Sequence, residues 1–392
     1  MDLLGRYYTQ DLFSSLLVKQ LTLNSPQRVL ELGVGGGALL KAAIHRWKNA
    51  KFYAADIDKQ AIRKINKELP FVKIKYANSL NTNLPEKLML LDRSIDIAIC
   101  NPPYMKEDSK KKYVGLFNES GLMECLKLQR VTSDIIFLAQ NLRLLKVNGQ
   151  LGIILPDTLI TGHDFQILRN SILSNHSVKG IIELPEKIFP KTEAKTHILI
   201  IEKSNSLINN VPLYIASQNG QCIDQIEVSI DELGHRMDYT FHKWNQAAKT
   251  NKRKVRLESI GCEIKRGSFT HAELKVMKRK YVHTTNLNNF STVTGYKAIP
   301  SKALRKYTLA AKGDILIARV GRGCMGKASI VQVGTILISD CVYRIRVAPE
   351  FRDTVWKSII SNEGQGWFKA NRHGVCAKVI SKKDLLNFPI KL

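Results

Sequence analysis

The 392-residue chain lacks the marks of an exported or membrane-spanning protein. No apolar run approaches the roughly 18 to 20 residues that a helix needs to cross a bilayer. Met1-Asp2-Leu3-Leu4-Gly5-Arg6 shows no basic segment followed by an apolar core and a small-residue cleavage site. The seven cysteines are odd in number, scattered and never spaced C-x-x-C, which excludes a disulfide framework and suits reduced thiols in the cytoplasm. The nine histidines form no zinc-ligand spacing with a cysteine pair, so no metal is expected. Acidic residues are scarce in one region only. The first 239 residues hold 30 basic and 25 acidic residues, a net +5, whereas the last 153 hold 30 and 9, a net +21. An excess so localised suits a polyanion, most economically nucleic acid, because each neutralised phosphate releases condensed counterions. An anionic membrane is a poorer partner, since no amphipathic basic helix carries the charge.

The length favours two domains. Short apolar runs alternate with helical patterns through the front half, giving strands at Arg28 to Leu32, Lys51 to Ala55, Val72 to Tyr76, Ile95 to Cys100, Gly152 to Leu155, Gly180 to Leu184 and His197 to Glu202. Such alternation predicts an α/β fold with a mostly parallel sheet covered on both faces. A long helix is expected from Ser133 to Lys146, with Phe137, Leu138, Leu142 and Leu145 on a core-facing stripe and Gly149 as its stop. Residues 205 to 250 read as a connector between a domain of residues 1 to 204 and one of residues 251 to 392. The latter is rich in short β-like stretches and glycine turns, which predicts a mixed α+β domain.

Glu31-Leu32-Gly33-Val34-Gly35-Gly36-Gly37 follows a strand and opens a helix, the context in which glycines let a nucleotide-like ligand approach the backbone. Asp56 ends the next strand, where its carboxylate can accept hydrogen bonds from both hydroxyls of a ribose. Together they indicate an adenosine-containing cofactor. Asn101-Pro102-Pro103-Tyr104 then follows the apolar strand Ile95 to Cys100, at the edge where open parallel sheets place their ligands. The two prolines stiffen the backbone. The Asn101 amide oxygen and the Pro102 carbonyl can accept from one planar amino group, and Tyr104 offers a face on which a flat ring can stack.

With those motifs the front half resembles the S-adenosylmethionine-dependent DNA adenine-N6 methyltransferases whose cofactor motifs precede the catalytic one. The match runs through most of residues 5 to 203 and implies a Rossmann-like methyltransferase domain. It implies a methionine-carboxylate site in Gly5-Arg6-Tyr7-Tyr8-Thr9, with Tyr8 and Thr9 at the cofactor. Glu31, Gly33 and Gly35 fall on the glycine-loop motif, Asp56 with its neighbour Ile57 on the ribose site, and Asn78 with Ser79 on the segment that holds the cofactor's adenine. Phe189, in Ile188-Phe189-Pro190-Lys191, matches the aromatic that stacks with Tyr104 on a flipped base. The chain departs from the pattern at Asn78, where the family commonly has aspartate, and at Gln10, where it commonly has proline. Asn78 can still accept a hydrogen bond, without charge.

Residues 236 to 392 resemble one target-recognition half of a type I restriction specificity subunit. Arg236-Met237-Asp238-Tyr239, Gly313-Asp314-Ile315-Leu316-Ile317-Ala318-Arg319-Val320-Gly321 and the stretch from Val375 to Pro389 carry the likeness. It implies a double-stranded DNA partner, with Lys265, Arg266, Arg319 and Arg322 at the DNA. The run Lys110-Lys111-Lys112, shortly after Asn101-Pro102-Pro103-Tyr104, is placed to clamp the substrate strand. The long spacer helices of two-half specificity subunits are missing from the sequence, which predicts a monomer reading one short site. A separate restriction or specificity subunit stays open as a partner. Pro156-Asp157 with Glu193-Ala194-Lys195 has the look of a nuclease pattern, but both stretches fall inside segments that the methyltransferase match explains. Two other readings remain: a methyltransferase acting on RNA or on a protein glutamine, and a DNA-binding subunit whose activity is lost or depends on a partner.

Overall fold

The computed structural model describes residues 11–107, 110–186, 188, 195–204, 206, 208–249, 254–277, 279–287, 290–295, 307–374 and 377–391. The chain divides into two compact units, Met1–His242 and Lys243–Leu392. No helix among the described residues is long and apolar enough to cross a membrane. The six cysteines among them are unpaired.

The first unit opens with α1 (Asp11–Gln20), β1 (Arg28–Leu32), α2 (Ala38–Arg46), β2 (Lys51–Asp56), α3 (Lys59–Glu68), β3 (Lys73–Tyr76), α4 (Leu84–Leu88) and β4 (Ile95–Cys100). A two-stranded pair, β5 (Lys106–Glu107) and β6 (Val131–Thr132), brackets α5 (Val114–Glu119). Then come α6 (Ser133–Leu144), β7 (Leu145–Pro156), α7 (Asp157–Thr161), α8 (Gln166–Asn175), β8 (Ser177–Glu183), β9 (Thr196–Glu202), β10 (Asn210–Ala216) and β11 (Cys222–Ser229). Nine of these strands form one sheet in the order β11-β10-β8-β9-β7-β4-β1-β2-β3. From β3 to β7 all pairings are parallel, while β9 runs antiparallel to both neighbours and β11 antiparallel to β10. The fold is thus an α/β, Rossmann-like core on a mostly parallel sheet. The chain steps outward from β1 to β2 and β3, then returns to the other side of β1 with β4, so the strand order switches between β1 and β4.

Burial explains why β4 is so apolar. Ile97 and Ile99 join the core on one face and Ala98 and Cys100 the core on the other, so from Ile97 onward the strand has no polar side to show. Helix α3 is the opposite case: only Ala61 and Ile65 are buried, and Asp58 caps it by accepting from the Gln60 amide at 2.8 Å.

Two expectations need correcting. Helix α6 ends at Leu144 rather than Lys146, and Gly149 is not its stop but part of β7. The ammonium of Lys203 donates to the carbonyls of Leu142 (2.6 Å) and Leu145 (2.9 Å), doing the capping that a glycine turn would do. Residues 210 to 229, expected as connector, form two strands of the sheet. Val211 and Leu213 are buried there, but β11 is an edge strand with most side chains in solvent and so resembles a loop in composition.

Lys243–Leu392 is a mixed α+β unit. Its five-stranded sheet runs Glu263–Arg266, Val342–Arg346, Ile315–Ala318, Ala328–Val333, Ser291–Thr294, and a smaller sheet joins Tyr281–Val282, Thr335–Ile338 and Leu309–Ala311. Helices Arg352–Ile360 and Asn362–Asn371 accompany them. The core centres on Trp367, Phe368 and Phe388, whose rings meet at 5.0 to 5.3 Å.

Candidate active site

A cavity of about 320 Å³ opens at the carboxyl ends of β1, β2, β3 and β4, beside the switch in strand order. Glu31, Gly33 and Gly35 line it from the end of β1, Asp56 and Ile57 from the end of β2, Asn78 and Ser79 after β3, and Asn101 and Pro103 after β4. These residues, singled out by motif, come together in one place. Tyr8, Thr9 and Phe189 lie outside the described residues.

The glycine loop has its shape for steric reasons. Gly33 (φ 74°) and Gly37 (φ 80°) adopt backbone angles that side chains disfavour, and a Cβ on Gly37 would stand 2.6 Å from Ile65. The Gly33 amide donates to the Ala55 carbonyl at 2.8 Å, and the Gly35 amide to Asp56 Oδ2 at 2.8 Å. Asp56 Oδ1 accepts from the Asp58 amide at 2.8 Å. Each oxygen keeps a second lone pair with which to meet a hydroxyl. Asn78 Oδ1 accepts from the Leu80 amide at 2.9 Å and likewise keeps one.

Glu31 is 2% exposed, and its Oε2 has no hydrogen-bond partner. Burial, and then the charge of Asp56, push its carboxyl well above the usual carboxylate range. A buried carboxyl with one oxygen left without a partner on the wall of a cavity calls for a cation or a donor from the ligand. The ammonium and sulfonium of S-adenosylmethionine meet that need, Asp56 suits its ribose, and the cofactor fits the residues present.

Asn101, which lines the cavity, and Tyr104 are half-buried, and the Tyr104 hydroxyl donates to Asn101 Oδ1 at 3.3 Å. Pro102 is buried and, like Tyr104, does not line the cavity itself. Cys100, the residue before the motif, is fully buried and its thiol donates to the Leu32 carbonyl. Burial holds that thiol neutral, so it is no nucleophile.

Phe137 was expected in a core stripe of α6, and it also lines the cavity, its ring 3.3 Å from the position a Cβ on Gly33 would take. Nothing in the helical period distinguishes it from its neighbours, because α6 is buried on all sides except at Arg143. Met105, just past the Asn-Pro-Pro-Tyr motif, is a second wall residue that sequence reasoning missed.

The basic residues differ in their freedom. Lys110 donates to the Leu128 carbonyl, and Lys112 lies 3.7 Å from Glu107 with its ammonium 4.7 Å from the Tyr113 ring, whereas Lys111 is exposed. In the second unit Arg266 and Arg319 converge on one residue. Arg266 reaches the Asp340 carboxylate (2.9 Å) and carbonyl (3.1 Å), and Arg319 the same carbonyl (2.8 Å). Lys265 pairs with Glu263, and Arg322 is exposed between Gly321 and Gly323. The nuclease-like pattern resolves into structure: Asp157 is 2% exposed and bonded to His197 (2.9 Å), and Lys195 pairs with Glu183 (2.8 Å). Glu193 lies outside the described residues.

The family model for N-6 DNA methylases matches residues 2–265. The chain belongs to that family. The N-6 DNA methylases are S-adenosylmethionine-dependent, which agrees with the cavity. A "putative methyltransferase" of Methanocaldococcus jannaschii is 31% identical over 109 residues, 27% of this chain and 41% of the relative. Among solved structures, the type IIG restriction endonuclease BpuSI is similar with a TM-score of 0.53 at 14% identity, covering 99% of this chain and 59% of the other. The methyltransferase subunit of a type I restriction-modification system from Streptococcus thermophilus gives 0.50 at 18% identity, covering 60% of this chain and 59% of the other. These two likenesses are of fold. The chain spans between two fifths and three fifths of the length of these three relatives.

Proposed function

We propose that the protein transfers the methyl group of S-adenosylmethionine to the exocyclic N6 of an adenine turned out of double-stranded DNA. One observation supports this reading: Asn101 lines the same cavity as Glu31 and Asp56. S-adenosylmethionine, when bound, supplies an electrophilic methyl group.

The chain's own residues supply the rest. An adenine amino group is a poor nucleophile because its lone pair is delocalised into the ring. Asn101 Oδ1 and the Pro102 carbonyl accept its two N–H bonds and draw the nitrogen toward a pyramidal shape in which the lone pair is free. The Tyr104 hydroxyl, bonded to Asn101, steadies the acceptor. Positioning of this kind accounts for about 7 to 11 kcal/mol of barrier. Turning the base out costs a few kcal/mol, which stacking on Tyr104 and Phe189 offsets in part.

The second unit, where the 30 basic residues face only 9 acidic ones, is read as the recognition domain that holds the duplex. A protein substrate has no use for such a field. A separate specificity or restriction subunit remains an open partner. The deciding experiment expresses the chain in a host without adenine methylation and sequences single genomic molecules. N6-methyladenine at one short motif is the expected result. Its absence with soluble protein present, while RNA or a protein glutamine is methylated instead, would overturn the reading.

A further inference from the structure

Four loops meet at the cavity, and one helix reaches three of them. Ser133, Phe137 and Gln140 fall at i, i+4 and i+7 on a single face of α6, and each touches a different loop. Ser133 Oγ donates to the Pro103 carbonyl (2.5 Å) and accepts from the Met105 amide (2.8 Å), while the Ser133 amide donates to the Met105 carbonyl (2.9 Å). Phe137 stands against Gly33. Gln140 Nε2 donates to the carbonyls of Ser79 (3.2 Å) and Asn81 (2.7 Å). Ser133 and Gln140 are fully buried and neither lines the cavity. They act on the site only through the loops they hold.

We propose that Ser133 and Gln140 are positioning residues with separable tasks: Ser133 sets the catalytic loop for transfer, and Gln140 sets the loop that receives the cofactor. The inference rests on the methyl-transfer reading above. Two prolines fix φ at 102 and 103 but leave the rotation that aims the peptides around them. Ser133 removes that freedom, because it takes the Pro103 carbonyl and both backbone groups of Met105. Loosening it moves the acceptors of Asn101 and Pro102 relative to the reacting nitrogen, an effect felt in the transition state. Gln140 holds the backbone on either side of Leu80, next to Asn78. Loosening it weakens cofactor binding equally in ground and transition states, which leaves kcat unchanged.

The test measures kcat at saturating S-adenosylmethionine and, separately, its Kd by calorimetry, for the full chain. Ser133→Ala is expected to lower kcat about 30- to 100-fold, the scale set by an ångström of misplacement, with Kd within about threefold of the parent. Ser133→Thr, which keeps the hydroxyl, should restore most of the rate. Gln140→Met is expected to raise Kd about tenfold, the effect of one or two lost hydrogen bonds, with kcat within about twofold. Retained kcat in Ser133→Ala, or parallel loss of rate, affinity and melting temperature in both variants, overturns the proposal. If the parent methylates nothing, the methyl-transfer reading fails, and the calorimetric arm still decides this one: equal affinities of the parent and Gln140→Met overturn it.

Discussion

The backbone amide of Gly35 donates to Asp56 Oδ2 at 2.8 Å, joining the loops that follow two neighbouring strands. With the Asp58 amide on its other oxygen, Asp56 is an organiser of the glycine loop as well as a wall of the cavity. Asparagine cannot replace it, because its NH2 would confront one of those two amides. Asp56→Asn and Asp56→Ala should therefore weaken S-adenosylmethionine binding alike, by about 10²-fold on the scale of a charge-assisted hydrogen bond. A near-normal Kd for Asp56→Asn in a calorimetric titration would contradict the organising role.

Asn101→Ala removes one of the two acceptors proposed for the target amino group. Methyl transfer should become undetectable in a tritium-transfer assay, while the cofactor Kd stays within about threefold of the parent, because the loss falls on the transition state. Residual activity of a tenth or more would show that Asn101 is not the acceptor.

On the proposed reading, in which Glu31 meets the positive charge of the cofactor, binding depends on pH. Its folded value is raised above the ordinary 4.5 by burial and by Asp56, so the empty protein holds a proton there that the unfolded chain has lost. Stability of the empty protein accordingly falls as pH rises from about 4.5 through the raised value. A cationic ligand favours the ionised form and expels the proton, so affinity should rise with pH over the same interval. Calorimetry in two buffers of different ionisation enthalpy should register proton release, and Glu31→Gln should abolish it. Identical apparent enthalpies for the parent in both buffers, inside that interval, would refute the linkage.

Arg266 and Arg319, brought together at Asp340 from opposite ends of 53 residues of chain, offer a test of the proposed DNA face. Each arginine that meets a phosphate contributes about 0.9 to the slope of log K against log salt. The double alanine variant should lower the slope by one to two and weaken binding to all sequences alike. If the slope is unchanged and one sequence alone loses affinity, the pair reads bases rather than phosphates.

The front of the fold was legible because its signals are local. The apolar run of β4 from Ile95 to Cys100, the strand ends at Leu32 and Asp56, and the motif at Asn101 each announce themselves within a few residues. What stayed hidden depends on partners distant in sequence. Phe137 becomes a cavity wall because Gly33, 104 positions earlier, has no side chain to meet it. The end of α6 is set by Lys203, about 60 residues onward, and not by the glycine that follows. Strands β10 and β11 read as connector in the sequence because β11, at the sheet's edge, has most of its side chains in solvent, and β10 carries a proline and buries only three of its seven residues.

The segment Arg236-Met237-Asp238-Tyr239, whose likeness is to recognition domains, is embedded in the first unit. Arg169, 1% exposed, donates to the carbonyls of Leu159, Gly162, Gly234 and His235, and the Met237 amide reaches Ile160. Arg236 and Asp238 pair with each other in the interior, and Thr240 bonds to Glu183. The border suggested by sequence likeness therefore lies inside a packed body. A chimera that exchanged one recognition module for another at residue 236 would take the Met237 amide from the Ile160 carbonyl and Thr240 from Glu183, two bonds inside the first unit. A graft that keeps the first unit whole has its splice point later, beyond His242.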